Sequence, residues 1–174
     1  MVILLAILLR LPLAPYSAGS DVPQFAGFAD TLKASGLCFY VQAMLPRGEP
    51  WPYPWLFPYG PPLLLLLGLL RVLAPSPVTY GWVDGTYLVL VPADWRIAYK
   101  VTVALLDVLV VLLIYECVVR ATGSRRKALG AAGIYAVSPM ALYNSAIYGM
   151  FDHIALALLL TSMLLWDRSM YSGL

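Results

Sequence analysis

Between Val101 and Val119 the chain runs for about 19 almost continuously apolar residues, the length an α-helix needs to cross the roughly 30 Å hydrocarbon core of a bilayer. Two carboxylates, Asp107 and Glu116, interrupt this run. Inside a bilayer an ionised group persists only where it is paired, hydrated or used, so each of the two demands a partner or a task. The rest of the sequence agrees with a membrane setting: 61% of residues are hydrophobic and 11% charged, against roughly 25% charged in an ordinary soluble domain. Mean hydropathy is +0.81. The expected fold is an all-α membrane protein with about four to five hydrophobic helices, some short or re-entrant, and a long external first loop carrying an in-plane helix.

The remaining segments are less regular. Residues 1–16 are apolar but short, reaching about 24 Å at 1.5 Å per residue, and Arg10 interrupts them. A first membrane helix is the preferred reading. A cleaved signal peptide finds a small-residue site at Ser17-Ala18-Gly19 but lacks a basic start. Ser20 and Asp21 can cap a helix from Val22 to Ser35, whose apolar stripe is Val22, Phe25, Phe28, Ala29 and Leu32, with Gly36 placed to stop it. This is the in-plane helix. Leu45 to Pro62 is dense in proline, Trp and Tyr, which excludes regular helix and suits the headgroup level. Leu63 to Ala74 is strongly apolar but too short to cross upright, so it spans or re-enters. Turn signals at Pro75-Ser76-Pro77 and Asp84-Gly85 precede a β-like run, Thr86 to Val91. Two further segments follow, Ala128 to Tyr148, weakened by Gly130, Gly133 and Pro139, and Ile154 to Trp166.

Charge sets the orientation. Arg120, Arg125, Arg126 and Lys127 cluster between the two clearest crossings, and short loops rich in Lys and Arg stay in the cytoplasm, so Arg120 to Lys127 is placed inside. Lys100 and Asp152 then fall on the external face of a cell membrane, and Asp21 joins them if Leu63 to Ala74 dips in and returns. A net charge of +2 without a basic, aromatic-rich face gives no footprint for nucleic acid. Cys38 and Cys117 form neither a disulfide framework nor a zinc pattern.

The ionisable groups carry what chemistry there is. Asp21 can be a plain N-cap or a functional carboxylate. Lys100 and Asp107 lie seven residues apart and so share a helix face, with Asp107 roughly 10 Å deeper, as a structural intramembrane group or as a cavity lining. Glu116 precedes Arg120 by four residues, the spacing of an end-of-helix salt bridge. Ser145, Gly149 and Asp152 follow i, i+4, i+7 spacing with Asn144 and Tyr148 beside them, a strip that packs a helix closely or faces a wet cavity. His153 is the sole histidine, which rules out a multi-histidine metal site and favours a hydrogen-bonding role. The carboxylates serve equally as a base or as ligands of a divalent metal.

Four motifs in this order carry a resemblance: Ser20-Asp21-Val22-Pro23-Gln24-Phe25, Tyr59-Gly60-Pro61-Pro62-Leu63-Leu64, Lys100 through Asp107 with Leu112 to Tyr115, and Ser138-Pro139 through Tyr148-Gly149-x-x-Asp152. With them the chain resembles the N-terminal part of GT-C superfamily membrane glycosyltransferases, particularly archaeal members that use polyprenyl-phosphate sugars. The resemblance implies transfer of a sugar from a polyprenyl-phosphate donor to an acceptor hydroxyl or amide on the external face, by an inverting hexosyltransferase. It implies Asp21 as general base. Lys100 and then Arg96 would stabilise the departing lipid phosphate, and Asp107, Asp152, His153 and Tyr148 would line the substrate cavity. Where the family has Trp-Gly-Gln-x-Asp, this chain has Tyr148-Gly149-Met150-Phe151-Asp152, a departure at any amide-dependent contact.

The organisation expected is one membrane domain over residues 1–174: a first helix at 1–16, an external loop with surface and re-entrant helices at 17–100, and a helical transmembrane part at 101–174. Family members have more membrane helices, so the unit is read as an incomplete one, a fragment whose missing helices a second chain supplies. Its other partners are membrane lipid and the lipid-linked sugar. The alternative reading is a non-catalytic helical membrane subunit that packs with partner helices.

Overall fold

The computed structural model describes residues 1–15, 21–44, 57–84 and 86–171. In chain order the elements are α1 (Val2–Arg10), α2 (Asp21–Ser35), a 3-10 turn (Gly36–Cys38), α3 (Phe39–Met44), α4 (Pro61–Leu73), strands β1 (Thr79–Val83) and β2 (Thr86–Leu90), α5 (Ala93–Thr122), α6 (Arg125–Ala136), α7 (Pro139–Leu142), a π-helical turn (Tyr143–Tyr148) and α8 (Asp152–Tyr171). The described residues are thus mostly helical, with one antiparallel hairpin registered from Thr79 opposite Leu90 to Val83 opposite Thr86. Asp84 turns the hairpin with φ +50°, a conformation that Asp tolerates better than most residues. The expected cap Ser20, the site Ser17-Ala18-Gly19, Gly85 and most of the Leu45 to Pro62 loop lie outside the described residues.

Two compact units divide the chain, one comprising Met1–Gly19 with Lys100–Leu174 and the other Ser20–Tyr99. In the second unit α2 opens on Asp21, whose negative charge in the first turn suits the helix dipole. Val22, Phe25, Phe28 and Ala29 of the expected stripe are buried, and Gly36, at φ +53°, ends the helix in a left-handed conformation. Helix α4 packs close on α2 at Gly68, where an added Cβ would lie 3.0 Å from Leu32 Cδ2. Arg71 holds the end of α4: its guanidinium pairs with Asp30 at 2.6 Å and donates to the carbonyls of Ala74 and Ser76 at 2.6 and 2.7 Å. Phe28, Phe39 and Phe57 meet edge to face at 5.0 Å centroid separation for each pair with Phe57, a geometry that matches ring edges to ring faces. Trp95, fully buried, donates from Nε1 to the Val22 carbonyl at 3.1 Å.

The first unit is built on residues 100–122 of α5. The whole helix of 30 residues rises about 45 Å and is the one helix among the described residues long and apolar enough to cross a membrane. Pro61–Leu73 and Asp152–Trp166 are shorter apolar helices. Ala6, Val108, Val111, Ala132 and Ala136 form the core between α1, α5 and α6, where small side chains let backbones approach. Helix α1 is shorter than the expected segment of residues 1–16. It gives way to turns after Arg10, where Pro12 cannot continue the ladder.

The expected continuous segment from Ala128 to Tyr148 is corrected. Pro139 pushes Ser138 to φ −59°, ψ 121°, and α6 stops at Ala136. Ser138 then caps α7, its Oγ accepting from Ala141 N at 3.5 Å. Gly149, at φ +86° and ψ 36°, closes the π turn, with its own N–H and that of Met150 both donating to the Asn144 carbonyl at 2.8 Å. The strip Ser145, Gly149, Asp152 therefore does not lie on one helix face: Gly149 ends one helical stretch and Asp152 begins another.

Candidate functional site

Two opposite charges inside apolar helices meet at the centre of the first unit. Arg10 and Asp107 are both fully buried and pair at 2.5 Å from Nε to Oδ2. The guanidinium also donates to the carbonyls of Ala136 at 2.9 Å and Ala6 at 3.3 Å, leaving Nη2 as a buried nitrogen without a hydrogen-bond partner. The second carboxylate oxygen accepts from the Tyr135 hydroxyl at 2.7 Å and faces His153 Nε2 at 3.4 Å. The other ring nitrogen of His153 faces the Met150 carbonyl at 3.3 Å. Both neighbours are acceptors, so a neutral imidazole can donate to one of them and an imidazolium to both.

This network backs a pocket of about 330 Å³ whose polar lining is Tyr135, Ser138, Asn144, Asp152 and His153, with Met140, Ala141 and Leu156 completing the wall. The broken backbone between Ala136 and Asp152 builds it. Helix α7 and the π turn supply Asn144, and the start of α8 supplies Asp152 and His153. Asp152 is exposed and His153 almost buried, so the pocket joins an accessible carboxylate to the imidazole that contacts the internal ion pair. Such an arrangement can bind a hydrogen-bonding ligand and exchange a proton with it.

The expected site residues are thereby distributed. Asp107 and His153 touch directly, and Asp152 shares the pocket with His153. Asp107 sits behind the pocket rather than along it. Lys100 is fully buried and its Nζ donates to the Ile147 carbonyl at 2.5 Å, five residues before Asp152. Tyr148 packs on Tyr143 with centroids 6.1 Å apart and is not part of the pocket lining. Asp21 and Arg96 belong to the other unit, where Asp21 begins α2 and Arg96 Nε is buried without a hydrogen-bond partner. Glu116 and Arg120 form the i,i+4 bridge that their spacing predicts, at 2.7 Å. Among the described residues no group of three or more His, Cys, Asp and Glu side chains is placed to hold a metal ion.

Arg10 is the residue that reading the sequence missed. It stood as a mere interruption of the first segment, although an unpaired cation and an unpaired carboxylate in apolar helices each call for the other. Tyr135 and Ser138 were missed for a different reason, since nothing in their spacing marks a helix break as a pocket. The chain matches no family model, no curated protein and no solved structure.

Proposed function

We propose that this chain is an integral membrane protein of GT-C glycosyltransferase type, transferring a sugar from a polyprenyl-phosphate donor to an acceptor hydroxyl or amide at the external membrane face. One observation carries the reading: in a chain this apolar, an open pocket presents the Asp152 carboxylate and the His153 imidazole against a buried ion pair. Charges in such surroundings are costly unless they serve binding or proton transfer. In this reading Asp152 and His153 hold polar groups of the substrate, and the family resemblance gives Asp21 the role of base toward the acceptor.

The test is transfer of labelled sugar from a polyprenyl-phosphate donor in membranes containing the full chain. Asp21→Asn abolishes transfer while leaving the thermal unfolding midpoint in place. Transfer at the wild-type rate in that variant removes Asp21 as the base.

A specific observation favours a second reading, a non-catalytic subunit that packs with partner helices. Asp107 is already satisfied by Arg10, and large apolar side chains stand exposed on α6 and α8, among them Ile134 at 75% and Trp166 at 71%. Under that reading Asp152→Asn and Asp21→Asn are both silent, and the chain is extracted from membranes in stoichiometric complex with another helical protein.

A further inference from the structure

We infer that the first unit carries a binding site for one phospholipid with an anionic headgroup, the acyl chain lying in a groove between α1, α5 and α6 and the headgroup resting on Arg125 and Arg126. The inference rests on the membrane reading above but not on glycosyl transfer. The groove has a volume of about 210 Å³ and is lined by Met1, Val2, Ile3, Val111, Leu112, Tyr115, Leu129 and Ala132, whose side chains are apolar but for the Tyr115 hydroxyl. It lies beside the middle turns of α6, N-terminal to Ala136, because Val2 and Ile3 of α1 line it together with Leu129 and Ala132, whereas Arg10 at the other end of α1 reaches the Ala136 carbonyl.

Charge identifies what fills it. Arg125, Arg126 and Lys127 are exposed, occupy the first turn of α6, and have no acidic residue in that turn. Among the described residues none of the three has a salt-bridge partner, since the one carboxylate at the adjoining end of α5, Glu116, is taken by Arg120. Three cations there oppose the helix dipole and repel one another, and an anion relieves both costs. Arg125, Leu129 and Ala132 stand at i, i+4 and i+7, so the cation and the groove wall share one helix face. Side chains tilt toward the helix N-terminus, which carries the guanidinium beyond the groove to the level of lipid phosphate while its stem covers apolar surface. A hydrocarbon groove with a cationic rim at one end matches one amphiphile, an anionic lipid. A zwitterionic lipid fits the groove but leaves the cations uncompensated.

The full chain, extracted from membranes in mild detergent, is titrated with phosphatidylglycerol or phosphatidylcholine of equal chain length, and bound lipid is counted by native mass spectrometry. Phosphatidylglycerol binds in preference to phosphatidylcholine. The Arg125→Gln/Arg126→Gln pair, both exposed, weakens it about 25-fold, at about fivefold per cation. Ala132→Phe fills the groove and removes the bound lipid. Ala132 is buried, so Leu129→Asn, at a half-exposed lining position, tests the groove where the larger substitution disturbs folding. Equal retention of both lipids overturns the headgroup assignment, and so does undiminished binding to the double arginine variant. Unchanged phosphatidylglycerol binding in Leu129→Asn and Ala132→Phe overturns the groove and leaves only general attraction of anionic lipid to a basic loop. Recovery of the chain outside washed membranes refutes the membrane reading and this inference together, whereas any of the other failures refutes this inference alone.

Discussion

Replacing Asp107 by Asn keeps the shape of the side chain and removes its charge, which isolates what the buried ion pair contributes. Arg10 and Asp107 have no exposed surface, so in the variant a guanidinium stays buried with no counter-charge, only neutral acceptors: the amide oxygen of the new Asn and the Ala6 and Ala136 carbonyls. Breaking a buried pair by removing one member costs about 3–5 kcal/mol, because the other charge is left uncompensated. Arg10→Met strands the carboxylate and belongs in the same range. In Arg10→Met/Asp107→Leu no charge is left behind. The residual cost is then chiefly the loss of an acceptor for the Tyr135 hydroxyl, about 1–3 kcal/mol for an unsatisfied buried group, together with the weaker contact of His153 Nε2. The double variant is therefore more stable than either single one. For a chain of this length 1 kcal/mol corresponds to roughly 2–4 °C, so each single variant melts about 10 °C lower in detergent, followed by tryptophan fluorescence. Single costs that simply add in the double variant, or a loss below about 1 kcal/mol in Asp107→Asn, would refute the claim that the two charges depend on each other.

Three other substitutions probe separate features. Asp152→Asn, at an exposed position, changes stability by no more than about 0.5 kcal/mol while reducing sugar transfer in membranes, and equal activity removes Asp152 from the substrate contacts. Gly149→Ala places a Cβ on a backbone at φ +86° and lowers stability by about 1–2 kcal/mol in thermal unfolding, with faster exchange of the amides at position 149 and at Met150, which hold the Asn144 carbonyl. Arg71→Lys keeps the charge but loses the planar fork shared between Asp30, Ala74 and Ser76, so it behaves like Arg71→Ala, with early proteolysis after α4 and a loss of about 2–3 kcal/mol.

Local signals that depend on near neighbours were legible before any coordinates. The apolar run of α5, the stop at Gly36, the stripe on α2, the extended run that became β2 and the Glu116–Arg120 bridge each follow from residues within a few turns of one another. What escaped was long range. Arg10 lies 97 residues from Asp107, and spacing carries no record of a pairing at that distance. Only the cost of an isolated charge among apolar helices points to it, a cost that Arg10 carries as much as Asp107. Pro139, with Gly130 and Gly133, weakens the expected crossing, while Gly149 and Asp152 belong to a strip that packs a helix closely or faces a wet cavity; neither reading marks the helix break itself as the builder of a pocket.

Weakness and pocket have one physical origin. A continuous helix from Ala128 through Leu165 would satisfy every backbone group internally and present side chains on its surface alone. Pro139 removes a donor and moves Ser138 out of helical geometry, and Gly149 admits the left-handed turn that reverses the chain into α8. In the proposed membrane setting, backbone irregularity of this kind is tolerated only where protein or a wet cavity covers the freed groups. Here the coverage is visible in part: Ser138 Oγ accepts from Ala141 N, the Gly149 and Met150 amides share the Asn144 carbonyl, and His153 meets the Met150 carbonyl. The side chains that meet these freed groups include Ser138 and His153, and both also line the pocket. The break therefore places the hydrogen-bonding side chains of the pocket as a consequence of satisfying its own backbone. This also accounts for the π turn: an extra residue in the Tyr143–Tyr148 stretch rotates Asn144 relative to an α-helical register, and such turns concentrate where a side chain has to be re-aimed toward a site.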